Sequence, residues 1–154
     1  MKEMICTVAG FVGGAIAAAL GGWDLLAKAL LCFMGFDYLS GWLVAAVFHK
    51  SPKTATGAYA SSVGLKGLIR KAMMFGVVGM GVLLDGVLGF EYLRNAIAAA
   101  FLVNEGLSIV ENMGLMGIKM PKPVIAALDV LADKADAEPP DIQAAKSGAD
   151  ETEA

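Results

Sequence analysis

The stretch that decides the fold is residues 25–48, which read LLAKALLCFMGFDYLSGWLVAAVF. Only Lys28 and Asp37 interrupt this apolar run. As an α-helix it is about 36 Å long, enough to cross the roughly 30 Å hydrocarbon core of a bilayer. Lys28 lies one turn from an end, where its ammonium can reach the interface, whereas Asp37 lies near the middle. The stretch therefore predicts a transmembrane helix with a carboxyl group at its centre.

Two further apolar runs flank this stretch. Residues 4–23 carry no charge, and residues 72–90 carry only Asp85. Each is about 28–30 Å long as a helix. The first run has a signal peptide as its alternative, but Glu3, the length of the run and the spans that follow at once argue against cleavage. The chain therefore has three clear predicted transmembrane helices.

A fourth segment, residues 95–118, is apolar only in its first part. At 100° per residue its polar side chains fall within an arc of roughly 120°. This pattern predicts a helix with one polar face, which spans the membrane if that face meets protein or water and otherwise lies in the interface. The polar face consists of Arg94, Asn104, Glu105, Ser108, Glu111 and Asn112.

The segment between the second and third runs, residues 49–71, fixes the predicted orientation because it is basic and contains no acid. Short loops rich in Lys and Arg stay in the cytoplasm. The N-terminus is then also cytoplasmic, and with four spans the C-terminus returns there. We expect Lys66, Arg70 and Lys71 to face anionic lipid headgroups. The predicted cytoplasmic basic loop contains Lys50, Lys53, Lys66, Arg70 and Lys71.

Composition agrees with a membrane protein. Hydrophobic residues make up 57% of the 154 residues and charged residues 18%, against about 25% charged in soluble domains, and the mean hydropathy is +0.66. A net charge of −3 gives no reason to expect nucleic-acid binding. Two cysteines and the single His49 provide no zinc site, so we expect no metal, no cofactor and no catalytic residue.

These observations predict an all-α integral membrane protein in three parts. Residues 1–120 form a multi-span membrane domain and residues 121–137 a short amphipathic cytoplasmic helix, opened by Pro121 and Pro123. Residues 138–154 are acidic and lack aromatic residues, which predicts a disordered tail.

Carboxyl groups inside spans are the first candidates for function, because a charge at a helix centre costs about 2.5–3.5 kcal/mol on insertion. For Asp37 we expect a role in pore lining or assembly. Asp85 lies nearer a helix end, where bonding to backbone is the alternative to such a role. Gly10 and Gly14 form a GxxxG pair that predicts close helix packing, either between copies or within the chain.

The polar face of the fourth helix is a candidate switch. In a single chain it can pack against the surfaces that carry Asp37 and Arg94, and in an assembly it can face water. Arg94 is then a possible partner for a carboxylate of another helix. A helix with two such arrangements suits a timed transition.

Three local motifs resemble those of phage holins of the toxin-secretion/phage-lysis type, found mainly in phages and prophages of Gram-positive bacteria. The first is the Asp-x-x-Ser-Gly of residues 37–41. The second is the Ser, Gly and basic pattern of residues 61–71, and the third is the Asn-Glu-x-x-Ser-Ile-x-Glu-Asn of residues 104–112. The resemblance extends over roughly residues 35–130, including Gly117, Pro121 and Pro123.

The resemblance implies a non-enzymatic function. Such proteins accumulate as multi-pass homo-oligomers in the bacterial cytoplasmic membrane and open lesions through which an endolysin, a peptidoglycan hydrolase, or a toxin reaches the cell wall. The expected partners are further copies of the chain, membrane lipid and that cargo. Two alternatives remain: a small channel or scaffold subunit with no lytic role, and a membrane enzyme using Asp37, Asp85, Glu105 or Glu111 with a metal.

Overall fold

The computed structural model describes residues 2–19 and 21–137, and this part of the chain contains five α-helices and no strand. The helices are α1 (Lys2–Ala19), α2 (Leu25–Ala46), α3 (Ser61–Leu88), α4 (Leu93–Leu115) and α5 (Lys122–Asp136). The predicted all-α fold class is confirmed. The acidic tail predicted for residues 138–154 lies outside the described residues.

Three of the helices are long and apolar enough to cross a membrane: α2, α3 and α4. At 1.5 Å per residue they are about 33, 42 and 34 Å long. The helix with a polar face is therefore of spanning length. The first apolar run forms α1, which is about 27 Å long and is not among the three. It includes Lys2 and Glu3, and the turn after it contains Gly21 and Gly22 with φ of 75° and 122°.

Helix α4 is the centre of the bundle, because it packs against α2, α3 and α5. Its core residues Ala98 and Leu102 pack against α2 and α3. The buried cluster at the centre contains Ala27, Leu30 and Met34 of α2, Met74 and Val78 of α3, and Ala98 and Leu102 of α4.

Helix α3 begins at Ser61, three turns before the apolar run that predicted it. The preceding loop closes on itself, since the N–H of Ser51 donates to the carbonyl of Gly57 at 3.0 Å. The chain between Ser61 and Ala72 contains no proline and continues directly into the span. Part of the predicted basic loop is therefore helical.

Helix α5 folds back along α4 in the opposite direction. Its single fully buried residue is Leu128, 6% exposed. A Cβ added at Gly106 of α4 would lie 2.5 Å from Leu128 Cδ2, so the absence of a side chain at Gly106 admits Leu128.

Gly81 sets the distance between α3 and α4. A Cβ there would lie 2.9 Å from Ile97 Cδ1 and 3.0 Å from Arg94 Cα. We expect Gly81→Ala to lower the free energy of unfolding by about 1–3 kcal/mol, because the backbone of α4 must move. Gly86→Ala, on the same helix with no atom within 4 Å, gains the same helix propensity without the clash. Denaturant unfolding in detergent compares them, and equal stabilities would refute the close approach.

Candidate functional site

Three charged side chains from three helices meet inside the bundle. The Lys71 ammonium of α3 donates to Asp37 Oδ2 of α2 at 2.8 Å and also to Glu105 Oε2 of α4. The side chains of Lys71, Asp37 and Glu105 are 12%, 14% and 4% exposed. They are separated by 34 residues at each step along the chain, so this juxtaposition is purely tertiary.

Two neutral residues complete this inner polar cluster, which we define as Asp37, Ser40, Lys71, Glu105 and Asn112. The Asn112 amide donates to Asp37 Oδ1 at 3.1 Å and to Ser40 Oγ at 2.9 Å. Ser40 Oγ donates to the Asp37 carbonyl at 3.0 Å. Within the described residues no buried side-chain nitrogen or oxygen lacks a hydrogen-bond partner.

The helical spacing of the Asp-x-x-Ser-Gly motif explains this geometry. Residues at i, i+3 and i+4 share one face of a helix, so Asp37, Ser40 and Gly41 all point toward α4. Gly41 lies beside the Asn112 amide, whose Nδ2 is 3.6 Å from a Cβ built at that position, an ordinary van der Waals distance. The motif is thus a docking face for α4.

The inner polar cluster contains two carboxyl groups and one ammonium. Buried charges are tolerated when they are paired and hydrogen-bonded, and removal of one partner leaves the others strongly destabilised. The cluster therefore holds α2, α3 and α4 together at one level of the bundle. In the described part of the chain no group of three or more His, Cys, Asp and Glu side chains is placed to hold a metal ion.

Lys71 departs from its expected place at the lipid surface. It lies in α3, and its ammonium points into the bundle because Asp37 and Glu105 offer charged acceptors there. Lys66 and Arg70 lie on the same helix with exposed side chains, and Lys50 and Lys53 are exposed in the loop before it. The expected basic surface thus comprises these four residues without Lys71.

A second charged cluster lies at the end of the bundle where α2 and α4 begin. The Arg94 guanidinium donates to Asp24 Oδ2 at 2.6 Å, Asp24 Oδ1 at 3.0 Å and Asn95 Oδ1 at 2.8 Å. Asp24 also caps α2, since its Oδ1 accepts the N–H of Ala27 at 2.8 Å. This clamp joins the start of α2 to the start of α4.

Asp85 bonds to backbone in this same region. Its two carboxylate oxygens accept the N–H groups of Leu93 and Arg94 at 2.9 and 3.0 Å. These are donors at the first turn of α4, which have no partner within the helix. Asp85 therefore caps α4 from the end of α3.

The Arg94 guanidinium hydrogen-bonded to Asp24, together with the Ala27 N–H, lowers the pKa of the Asp24 carboxyl below its usual 3.8. A carboxyl with a lowered pKa in the folded state adds stability above its unfolded pKa and loses it as the pH falls through the folded value. We expect the stability of the detergent-solubilised protein to fall as the pH is lowered below about 4. The loss of stability should be smaller in Asp24→Asn. Identical dependence of stability on pH in the variant and the unmodified protein would contradict a stabilising Asp24–Arg94 ion pair.

The polar face of α4 is divided between two environments. Glu105 and Asn112 point into the inner polar cluster. Asn104 and Glu111 are exposed and Ser108 is half-buried; these three form what we call the outer polar edge. Asn104 lies at the centre of α4, so this edge places a polar side chain midway along a helix of spanning length.

Among residues 2–19 and 21–137, no neighbouring element packs closely on the glycine pair of α1. No atom lies within 4 Å of a Cβ built at Gly10 or Gly14. Helix α1 packs mainly on α3 and leaves Phe11 79% exposed. Packing of Gly10 and Gly14 against another copy remains a prediction.

Two features of the site were missed at the level of sequence. Asp24 precedes an apolar helix, a usual N-cap position, but nothing in the sequence links its carboxylate to Arg94, 70 residues away. Ser40 belongs to the quoted motif, yet its contact with Asn112 carries no sequence signal. Both contacts depend on how α4 is placed beside α2.

A family model described as the bacteriophage holin family matches residues 14–133. An uncharacterized protein of Clostridium perfringens strain 13 is 33% identical over 135 residues, 85% of this chain and 94% of the relative. An uncharacterized protein of Halalkalibacterium halodurans is 33% identical over 137 residues, 85% of this chain and 96% of the relative. An uncharacterized 14.9 kDa protein in the nagH 3' region of Clostridium perfringens is 34% identical over 116 residues, which are 74% of this chain and 82% of the relative. No solved structure matches the chain.

Proposed function

Because this chain belongs to the bacteriophage holin family, we propose that it is a phage-type holin that assembles with copies of itself in the bacterial cytoplasmic membrane. The assembly opens lesions through which a peptidoglycan hydrolase, or a toxin, reaches the cell wall. The activity is non-enzymatic and needs no cofactor.

The observation that carries this proposal is the division of the polar face of α4. Glu105 and Asn112 have charged or polar partners inside the chain, whereas Asn104 and Glu111 are exposed on a helix of spanning length. Polar side chains are unfavourable against lipid and favourable against water or another polar surface. The outer polar edge therefore supports an assembly in which α4 borders water.

The inner polar cluster gives the single chain a defined starting state. It fastens α2, α3 and α4 together, so the protein can accumulate before copies associate. Association of copies then places the side chains of the outer polar edge against water or another polar surface. Two such states need to differ by only a few kcal/mol for their populations to exchange as protein accumulates.

The proposal is tested by inducible expression in a bacterium together with a peptidoglycan hydrolase that lacks an export signal. We expect membrane potential to collapse abruptly after a fixed delay, followed by loss of turbidity only when the hydrolase is present. Cells that express the hydrolase alone are the control. An intact potential despite abundant protein in the membrane would favour a scaffold subunit. Collapse of the potential with the hydrolase retained would favour a small channel.

A further inference from the structure

Helix α5 lies alongside α4 over most of the height of the bundle. Leu128 contacts Gly106, and further along α5 Leu131 and Lys134 line a groove together with Asp24 and Asn95. Asp24 and Asn95 belong to the end of the bundle opposite to that where α4 ends and α5 begins. Helix α5, about 22 Å long, thus runs from one end toward the other.

One lateral side of α5 is acidic, whereas the position opposite Leu128 is occupied by Val130, 56% exposed. Asp129, Asp133 and Asp136 are exposed, and at 100° per residue they lie on one face, roughly 80–140° from Leu128. If α4 crosses the membrane, this acidic row lies beside the hydrocarbon core. Carboxylates facing lipid at that depth are strongly disfavoured. The observed position of α5 is therefore incompatible with a lipid neighbour on that side.

The acidic row of α5 and the outer polar edge of α4 both lie beside one exposed side of α4. Leu131 and Lys134 line the groove toward the start of α2, so the acidic row lies on the side of α5 away from α2. Asn104 and Glu111 are exposed on the part of α4 that α2 leaves uncovered. At 100° per residue Asn104 and Glu111 lie roughly 140–160° around α4 from Gly106, and the exposed Ala100 and Leu107 lie between, so the two polar rows flank one exposed side of α4.

We propose that α5 docks on α4 only where this side of α4 faces water, and that the docked α5 forms part of the water-facing wall of the lesion. In a chain surrounded by lipid, α5 lies at the membrane surface, where an amphipathic helix keeps its charged side in water. The inference rests on the proposed function. The missing side chain of Gly106 leaves a gap in the surface of α4, which we call the notch, and Leu128 fills this notch when α5 docks.

A cysteine pair at the notch reports docking. In a background with Cys6 and Cys32 changed to serine, Gly106→Cys is combined with Leu128→Cys. A Cβ at Gly106 lies 3.4 Å from Leu128 Cγ, so the two thiols meet when α5 is docked. Membranes are treated with a flexible bis-maleimide before and after the membrane potential collapses. We expect the crosslinked fraction to rise at least several-fold at collapse.

The matched control pair joins helices that do not move in this proposal. Tyr38→Cys with Gly67→Cys links α2 to α3, where a Cβ at Gly67 lies 3.9 Å from Tyr38 Cε2, and it should crosslink equally before and after collapse. If the notch pair fails to accumulate, Ala99→Cys with Leu131→Cys, which line the same groove, replaces it.

A second variant tests whether the acidic side chains of α5 keep this helix undocked before the membrane potential collapses. Asp129→Leu with Asp133→Leu removes the charges that disfavour lipid, so crosslinking at the notch should already be high before collapse. Equal crosslinking at the notch before and after collapse in the unmodified helix, or none at either time, overturns the inference. Failure of the proposed function gives a different result, since the potential then never collapses at matched protein abundance.

Discussion

Lys71→Met is expected to destabilise the protein by about 3–5 kcal/mol, the cost of leaving buried charges without their partner. Lys71 is the only cation of the inner polar cluster, and it bonds to both Asp37 and Glu105. Its loss leaves two carboxyl groups facing each other among side chains that are largely buried. Denaturant unfolding in detergent and the half-life of the protein in the membrane both measure the effect.

Two controls separate the loss of the ion pairs from the loss of a lysine. Lys66→Met changes an exposed lysine five residues earlier on α3 and should alter stability by less than about 0.5 kcal/mol. Lys71→Met combined with Asp37→Asn and Glu105→Gln removes all three charges and should recover much of the loss. A Lys71→Met protein as stable as Lys66→Met would show that the cluster does not hold the helices together.

Asn104→Leu combined with Glu111→Leu is expected to abolish lesion formation or delay it several-fold while the protein accumulates normally. Both side chains are exposed on the outer polar edge. Leucine at the centre of a spanning helix, where Asn104 lies, gains about 0.3–0.6 kcal/mol on insertion, whereas polar and charged side chains such as those of Asn104 and Glu111 are unfavourable against lipid. The substituted α4 therefore favours lipid over water, which stabilises the single chain against the assembly.

The measurement is the delay between induction and collapse of membrane potential at matched protein abundance. Leu107→Asn provides a control in the opposite direction, because Leu107 is 47% exposed on α4 and asparagine extends the polar edge; we expect an earlier collapse. An unchanged delay in both variants would show that the outer polar edge serves only in helix packing and has no role in opening the lesion.

The sequence by itself determined the elements of this protein. The all-α class and the spanning lengths of α2, α3 and α4 depend on hydropathy summed along each segment and on hydrogen bonds made within one helix. The same local rule placed the polar residues of α4 on one face, because 100° per residue is a property of the helix alone. The polar character of residues 94–112 was thus evident before their neighbours were known.

Only the tertiary structure decided which of these residues meet. The packing of α3 against α2 and α4 made Lys71 an interior cation, and the rotation and height of α4 separated Glu105 from Glu111 and brought Arg94 to Asp24. The contact of Leu128 with Gly106 was likewise decided only by the tertiary structure. Helix periodicity fixes the face on which a side chain lies, but its partner depends on how whole helices are placed relative to one another. That placement is set by close packing of side chains that are distant in the chain.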